Sequence, residues 1–245
     1  MMALDAMDIS ITEVDVDMDK AEHRIATIAN MNPLKTLPIL KDKELILCDS
    51  HAIGLYLATR YCKDKFLPKD PAGRAQIDQL LYYNSGVLQP IYRAAAYPII
   101  YENCRYVTPQ HTSCIENVYQ NLEDMLAGRK WFNGSGLSLA DIVIAASISS
   151  LNILVPVDKF KDLSSWLFRM SEQPFYITAN AKGLIDFAKR IGKLQYPTAH
   201  KLHQQDDRGE NYQKNNIFTI SFINFLIYIC LTSYYYYYIS MYFHY

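Results

Sequence analysis

The sequence predicts two units in series: a mixed α+β unit over residues 1–62 and an all-helical unit over residues 72–197, joined by a linker at 63–71. Three observations carry this reading. Two short apolar runs, Thr36–Leu40 and Glu44–Cys48, are separated only by the polar tip Lys41-Asp42-Lys43, and an amphipathic helix follows at once. A strand and a helix precede them, so the order is strand, helix, strand, strand, helix. Beyond Asp64–Pro71, with its two prolines and mixed charge, apolar residues recur at helical spacing.

Taken in order, Ile9, Ile11, Val14 and Val16 lie in a short strand that ends at Asp15-Val16-Asp17. Asp19–Asn30 follows as a weak helix with Ala21, Ile25 and Ile28 at i, i+4 and i+7. Strands as close as the next two can only pair antiparallel, so the helix bearing Ile53, Leu57 and Tyr61 must begin where the second strand ends. The complete order is the latter part of a thioredoxin-like domain. It gathers Asp49, Ser50 and the unpaired N–H groups of a first helical turn in one place. Such a place carries partial positive charge and suits a carboxylate or phosphate. The same residues are also what an ordinary helix cap requires, and at this level both readings stand.

The helical unit opens with Ala72–Tyr83 and continues in a long helix over Asn84–Asn103, kinked or interrupted at Pro90 and Pro98, whose nitrogens cannot donate. Gln89, Tyr92, Arg93, Ala96 and Ile100 fall on one face, as core or as binding surface. Thr112–Ala127 is amphipathic, with Ile115, Val118, Leu122, Met125 and Leu126 inward. Trp131-Phe132-Asn133-Gly134 turns the chain. Ser138-Leu139-Ala140-Asp141 then forms a capping box, with Asp in the usual Glu or Gln place, ahead of Ile142–Ile148, a run too apolar to lie outside the core.

Composition narrows the function classes. Half the 245 residues are apolar, ample for a core, and 24 basic against 25 acidic side chains give no argument for a nucleic-acid or anionic-surface partner. Cys48, Cys62, Cys104, Cys114 and Cys230 are odd in number and include no C-x-x-C, which points to a reduced, cytoplasmic setting and to neither a disulfide framework nor a zinc site. The opening MMALDAMDIS has none of the layout of a signal peptide.

The stretch Asn32–Tyr61 resembles the glutathione-binding half of glutathione S-transferases of the insect delta and epsilon classes. Leu163–Met170 and Pro174–Gly183 resemble the epsilon pattern, and the ordered match runs from about Ile9 to Pro197. The resemblance implies a cis bond between Leu37 and Pro38, with the Leu37 backbone pairing with the cysteinyl part of glutathione. It implies that Asp49 and Ser50 grip the γ-glutamyl end, with His51 where relatives are often basic. Lys35 stands where relatives commonly carry a histidine near the glycyl carboxylate. Tyr92, Arg93 and Ala96, with Gln89, Ile100 and Tyr101, would line the pocket for the electrophile. There Arg93 either stabilises negative charge during thiolate attack or pairs with a carboxylate at the domain cleft. Asn84 occupies a position where relatives often have an acidic residue that assists deprotonation of the thiol.

By the same resemblance Met1–Met7 is the last turn or two of a first helix, so the thioredoxin-like domain lacks its first strand, the loop with the catalytic Ser or Tyr, and most of that helix. The missing strand would lie inside the sheet, between the Ile9 and Pro38 strands, leaving unpaired backbone groups. Ser10 follows the helix where the catalytic residue precedes it, so no residue is assigned the catalytic role. The implied activity is conjugation of glutathione, as co-substrate, to small hydrophobic electrophiles by a homodimer without metal or other cofactor. The alternative is a non-catalytic protein of the same fold that binds ligands or partner chains.

After Pro197 the character changes. Residues 198–216 read as a polar, disordered linker, in which His200, His203, Asp206 and Asp207 are solvated side chains. Ile217–Phe243 has no charge and is long enough to cross a bilayer, yet its narrow vocabulary and the run Tyr234–Tyr238 favour translated non-coding sequence over a tail anchor. A membrane is a partner only if that tail is genuine.

Overall fold

A computed structural model describes residues 1–17, 20–62, 65–102, 104–134, 136–192 and the strand 239–243. The chain begins with α1 (Met2–Met7) and β1 (Thr12–Asp15). The expected single helix over Asp19–Asn30 is instead a 3-10 turn, Glu22–Arg24, and a short α2 (Ala26–Met31), because Ile25 is extended at φ −63° and ψ 153° and breaks the run. The β-branched Thr27 and Ile28 in its first turn and the lack of a capping side chain give the helix little to start on.

β2 (Ile39–Asp42) and β3 (Leu45–Cys48) pair antiparallel, with Ile39 opposite Cys48 and Asp42 opposite Leu45. The tip is therefore Lys43-Glu44, beginning one residue beyond the expected centre at Asp42, with Lys43 at φ 55°. Asp42 is drawn into the strand because its carboxylate is buried and accepts from the Tyr56 hydroxyl at 2.5 Å. Along β2 the side chains alternate between two layers: Leu40 packs with Ile53 and Leu57 of α3 (Ser50–Tyr61), whereas Ile39 packs with Val16 and Ile28.

The four-stranded sheet has the order β1-β4-β2-β3, where β4 is Ile239–Phe243. β4 runs antiparallel to β1, Thr12 opposite Tyr242, and parallel to β2, Ile39 opposite Ser240. This corrects two expectations. The position between β1 and β2 is not left with unpaired backbone, and part of the apolar tail is a strand of the sheet. The rest of the tail and the histidines at 200 and 203 lie outside the described residues. No helix among the described residues is long and apolar enough to cross a membrane.

The helices that follow are α4 (Pro71–Tyr83), a π turn (Asn84–Leu88), α5 (Gln89–Tyr101), α6 (Pro109–Leu126), α7 (Leu139–Leu154), α8 (Lys161–Ser171), α9 (Pro174–Ala179) and α10 (Ala181–Ile191). Asp70 caps α4, accepting from Gly73 N–H at 2.7 Å, with Pro71 in the first turn where its missing donor costs nothing. The sequence leads one to expect a kink or interruption at Pro90; α5 takes Pro90 into its first turn, and the interruption lies just before it. The backbone widens into the π turn one step earlier, with Gln89 N–H donating to the Asn84 carbonyl five residues back. Pro98 lies within α5.

α7 is the centre of the core. Its capping box is complete: Asp141 accepts from Ser138 N–H and Oγ, Phe132 N–H and Trp166 Nε1 at 2.6–3.1 Å. Against α7 lie α4, α5, α8 and, from the first unit, α1 and α3. Gly54 of α3 sits so close to Leu139 that an added Cβ would lie 3.3 Å from Leu139 Cδ1. α1 is further tied to α9 by Thr178 Oγ1 donating to Asp5 at 2.6 Å.

Candidate functional site

The corner after the hairpin is built as the sequence suggests. β3 ends at Cys48, and Asp49 turns the chain at φ 87° and ψ 124°, a left-handed setting that a non-glycine residue seldom adopts. Its Oδ1 caps α3, accepting from His51 N–H at 2.8 Å and Ala52 N–H at 3.2 Å. Asp49 is thus a helix cap, and its side chain remains 61% exposed. Ser50 is exposed at the first position of the helix.

Before β2, the peptide between Leu37 and Pro38 is cis. Leu37 lies outside the β2–β3 pairing, so its backbone is not spent on the hairpin. The loop leading to it is held by Asn32, a buried residue that sequence reasoning did not single out. Its Nδ2 donates to Thr36 O at 2.8 Å and to Thr36 Oγ1 at 3.0 Å, and its Oδ1 accepts from Leu34 N–H at 3.1 Å. Lys35 stands in this loop, exposed, at φ 54°.

His51 points away from solvent toward the helical unit. Its Nε2 lies 2.8 Å from Asn84 Nδ2, and its Nδ1 lies 3.3 Å from Asp49 Oδ1 without the alignment of a hydrogen bond. Asn84 is 1% exposed, and its Oδ1 accepts from Ser147 Oγ of α7 at 2.7 Å. Ser147 accepts in turn from Gln89 Nε2 at 2.9 Å. Ser147 was missed by sequence reasoning; the signal was an alcohol inside the apolar run Ile142–Ile148, a place that demands a hydrogen-bond partner.

The residues of the α5 stripe divide between two faces. Ala96 is buried in the core and opens no space of its own. Tyr92 and Ile100 are half-buried, the Tyr92 ring 5.7 Å from that of Phe187 on α10. Arg93 and Tyr101 are exposed, with the Tyr101 ring tilted 42° to that of Tyr97 at 4.8 Å between centroids. The expected single face is thus split, since Gln89 turns toward α7 while Arg93 turns to solvent. Arg93 forms no ion pair with any described carboxylate.

Cys48 and Cys62 both have their thiols pushed up by burial, which leaves them poor nucleophiles. The described cysteines are free. No cluster with metal-ligand character occurs among the described residues.

Comparison with known proteins gives the family. The N-terminal domain of glutathione S-transferases matches residues 1–59 and the C-terminal domain matches residues 105–174. Glutathione S-transferase 1 of Manduca sexta is 36% identical over 188 residues, covering 75% of this chain and 86% of that protein. The structure is similar to an epsilon-class glutathione S-transferase from the housefly, Musca domestica, with TM-score 0.75 and 31% identity over 80% of this chain and 92% of that one. It is similar to isozyme E7 of Drosophila melanogaster, with TM-score 0.75 and 32% identity over 80% and 90% of the two chains. A homologue from Drosophila mojavensis, solved with bound glutathione, has TM-score 0.75 and 29% identity over 80% and 90% of the two chains. The chain belongs to the glutathione S-transferase family and is of the insect delta/epsilon type.

Proposed function

We propose that this protein binds glutathione at the corner formed by Leu37, Pro38, Asp49, Ser50 and His51, with Lys35 beside the glycyl end, and conjugates it to small hydrophobic electrophiles. The observation that carries the reading is Asp49. A non-glycine residue held at φ 87° keeps a half-free carboxylate beside the first turn of α3, which suits a zwitterionic γ-glutamyl group: ammonium on the carboxylate, carboxylate on Ser50 and the helix donors. Leu37, outside the β2–β3 ladder, offers its backbone to the extended cysteinyl portion. Arg93, exposed and without a described carboxylate partner, is a cation beside the half-buried Tyr92 and Ile100, with Tyr101 and Gln89 bounding the same helix. On this reading Tyr92 and Ile100 meet the apolar electrophile and the exposed Arg93, on the neighbouring face of α5, offsets its developing negative charge.

Retention on immobilised glutathione together with turnover of an activated aryl halide tests the proposal. Ser50→Ala should lower both. A chain that turns over the halide at the rate of buffer while binding glutathione is the second reading, a binding protein of this fold. Ser10 is exposed between α1 and β1, after the helix, and so does not take the catalytic position that the resemblance implies.

We also propose a homodimer in a reduced, cytoplasmic compartment. The free cysteines support the compartment. The dimer rests on the family resemblance. Sedimentation velocity measures it, and a mass of one chain would refute the dimer.

A further inference from the structure

β2 has two edges. β3 takes one, in a ladder that ends with Ile39 opposite Cys48, after which Asp49 turns the chain into α3. β4 takes the other, and its ladder to β2 begins with Ser240 level with Ile39. Its ladder to β1 extends one residue further, to Ile239 opposite Asp15. The next step of the β2 register would set Ile239 beside Pro38, whose nitrogen has no hydrogen to donate. One residue beyond Pro38 is Leu37, whose backbone lies outside the β2–β3 ladder.

Because β4 runs parallel to β2, it enters the sheet at the Pro38 end and leaves it at the Asp42 end. A trans-linked residue lies about 3.8 Å before Ile239, and successive positions along a strand are about 3.3 Å apart. Chain feeding into β4 therefore passes within one residue's step of the position level with Leu37. An extended ligand backbone that pairs with Leu37 along this edge needs the same space. β4 is also a strand that can vacate its seat: its ladders are four residues long on each side, and neither β1 nor β2 is joined to it by a hairpin.

We infer that β4 and the cysteinyl part of glutathione are competing occupants of this edge of β2, so that the strand holds the glutathione corner partly closed. This rests on the glutathione reading of the corner. The coupling is reciprocal: bound glutathione loosens β4 by the factor that β4 takes from glutathione affinity. A strand seated in about nine chains of ten raises the apparent dissociation constant about tenfold over that of the open corner.

The test is hydrogen exchange of the full chain, read by mass spectrometry on peptides covering Ile239–Phe243, with and without glutathione. Faster exchange of β4 in the bound protein is expected, and unchanged or slower exchange overturns the inference. Met241→Pro in the full chain removes a ladder N–H at the level of Glu13 and Leu40, in a central strand that does not tolerate proline. Calorimetry should show this variant binding glutathione about tenfold more tightly than wild type, and equal or weaker binding by the folded variant overturns the inference. If Met241→Pro does not fold, the exchange measurement on the wild type decides alone. Absence of glutathione binding by both chains removes the glutathione reading and the inference with it, whereas binding that leaves β4 unmoved removes the inference alone.

Discussion

Asp49 has two duties that substitution separates. Asp49→Asn keeps a good N-cap and should leave stability within about 0.5 kcal/mol while glutathione binding is lost, whereas Asp49→Ala should also cost about 1 kcal/mol in urea unfolding. Equal stability of the two variants would show that the cap contributes nothing. Arg93→Ala should lower kcat/KM on the order of tenfold for electrophiles that gain negative charge in the transition state, with glutathione affinity unchanged. A uniform loss across neutral and charged transition states would reassign Arg93 to binding. Tyr56 reports on pH. Burial first, then the bond to Asp42, pushes its phenol up to about 12 from an ordinary value of 10. A phenol raised on folding contributes stability that is whole below about pH 10 and disappears as pH rises through 12. Alkaline absorbance titration of wild type against Tyr56→Phe should therefore show one tyrosine missing from the late phase.

At the scale of the element, α7 is held by its first turn. Asp141 is pushed up by burial and drawn back by Ser138, Phe132 and Trp166. Asp141→Ala would strand the Phe132 and Ser138 amides and the Trp166 indole together, and should cost about 3 kcal/mol in urea unfolding. A loss under 1 kcal/mol would mean that water replaces the carboxylate. The capping box was legible because Ser-x-x-Asp before an apolar run is a local pattern. The π turn was not: prolines at 90 and 98 announce missing donors, but whether a helix breaks, kinks or widens depends on what holds its flanks. Here α7 holds Asn84 and Gln89 through one hydroxyl.

For the whole molecule, the unusual feature is β4 between β1 and β2. Removing residues 217–245 would expose the facing backbone of both neighbours, and the melting temperature should fall by about 5 °C, a modest loss for a chain of this size. An unchanged melting temperature would show that β4 adds nothing to the sheet. The two units are joined by burial as well as by sequence: Leu4, Ile53 and Leu57 share one core with Ile142 and Leu151.

What the sequence determined by itself was local. The hairpin, the helix after it, the Asp49-Ser50 corner, the cap of α7 and the family pattern all follow from contiguous residues, because turn geometry, capping and apolar period act within a few positions. Only the tertiary structure decided which face each residue of α5 shows, that Asn32 braces the loop before Pro38, that Ser147 joins Asn84 to Gln89, and that a strand nearly two hundred residues away fills the gap beside β2. Apart from the Asn32 brace, whose partners lie within four residues, those outcomes depend on contacts across long sequence separations, and no local pattern states which partner lies in reach.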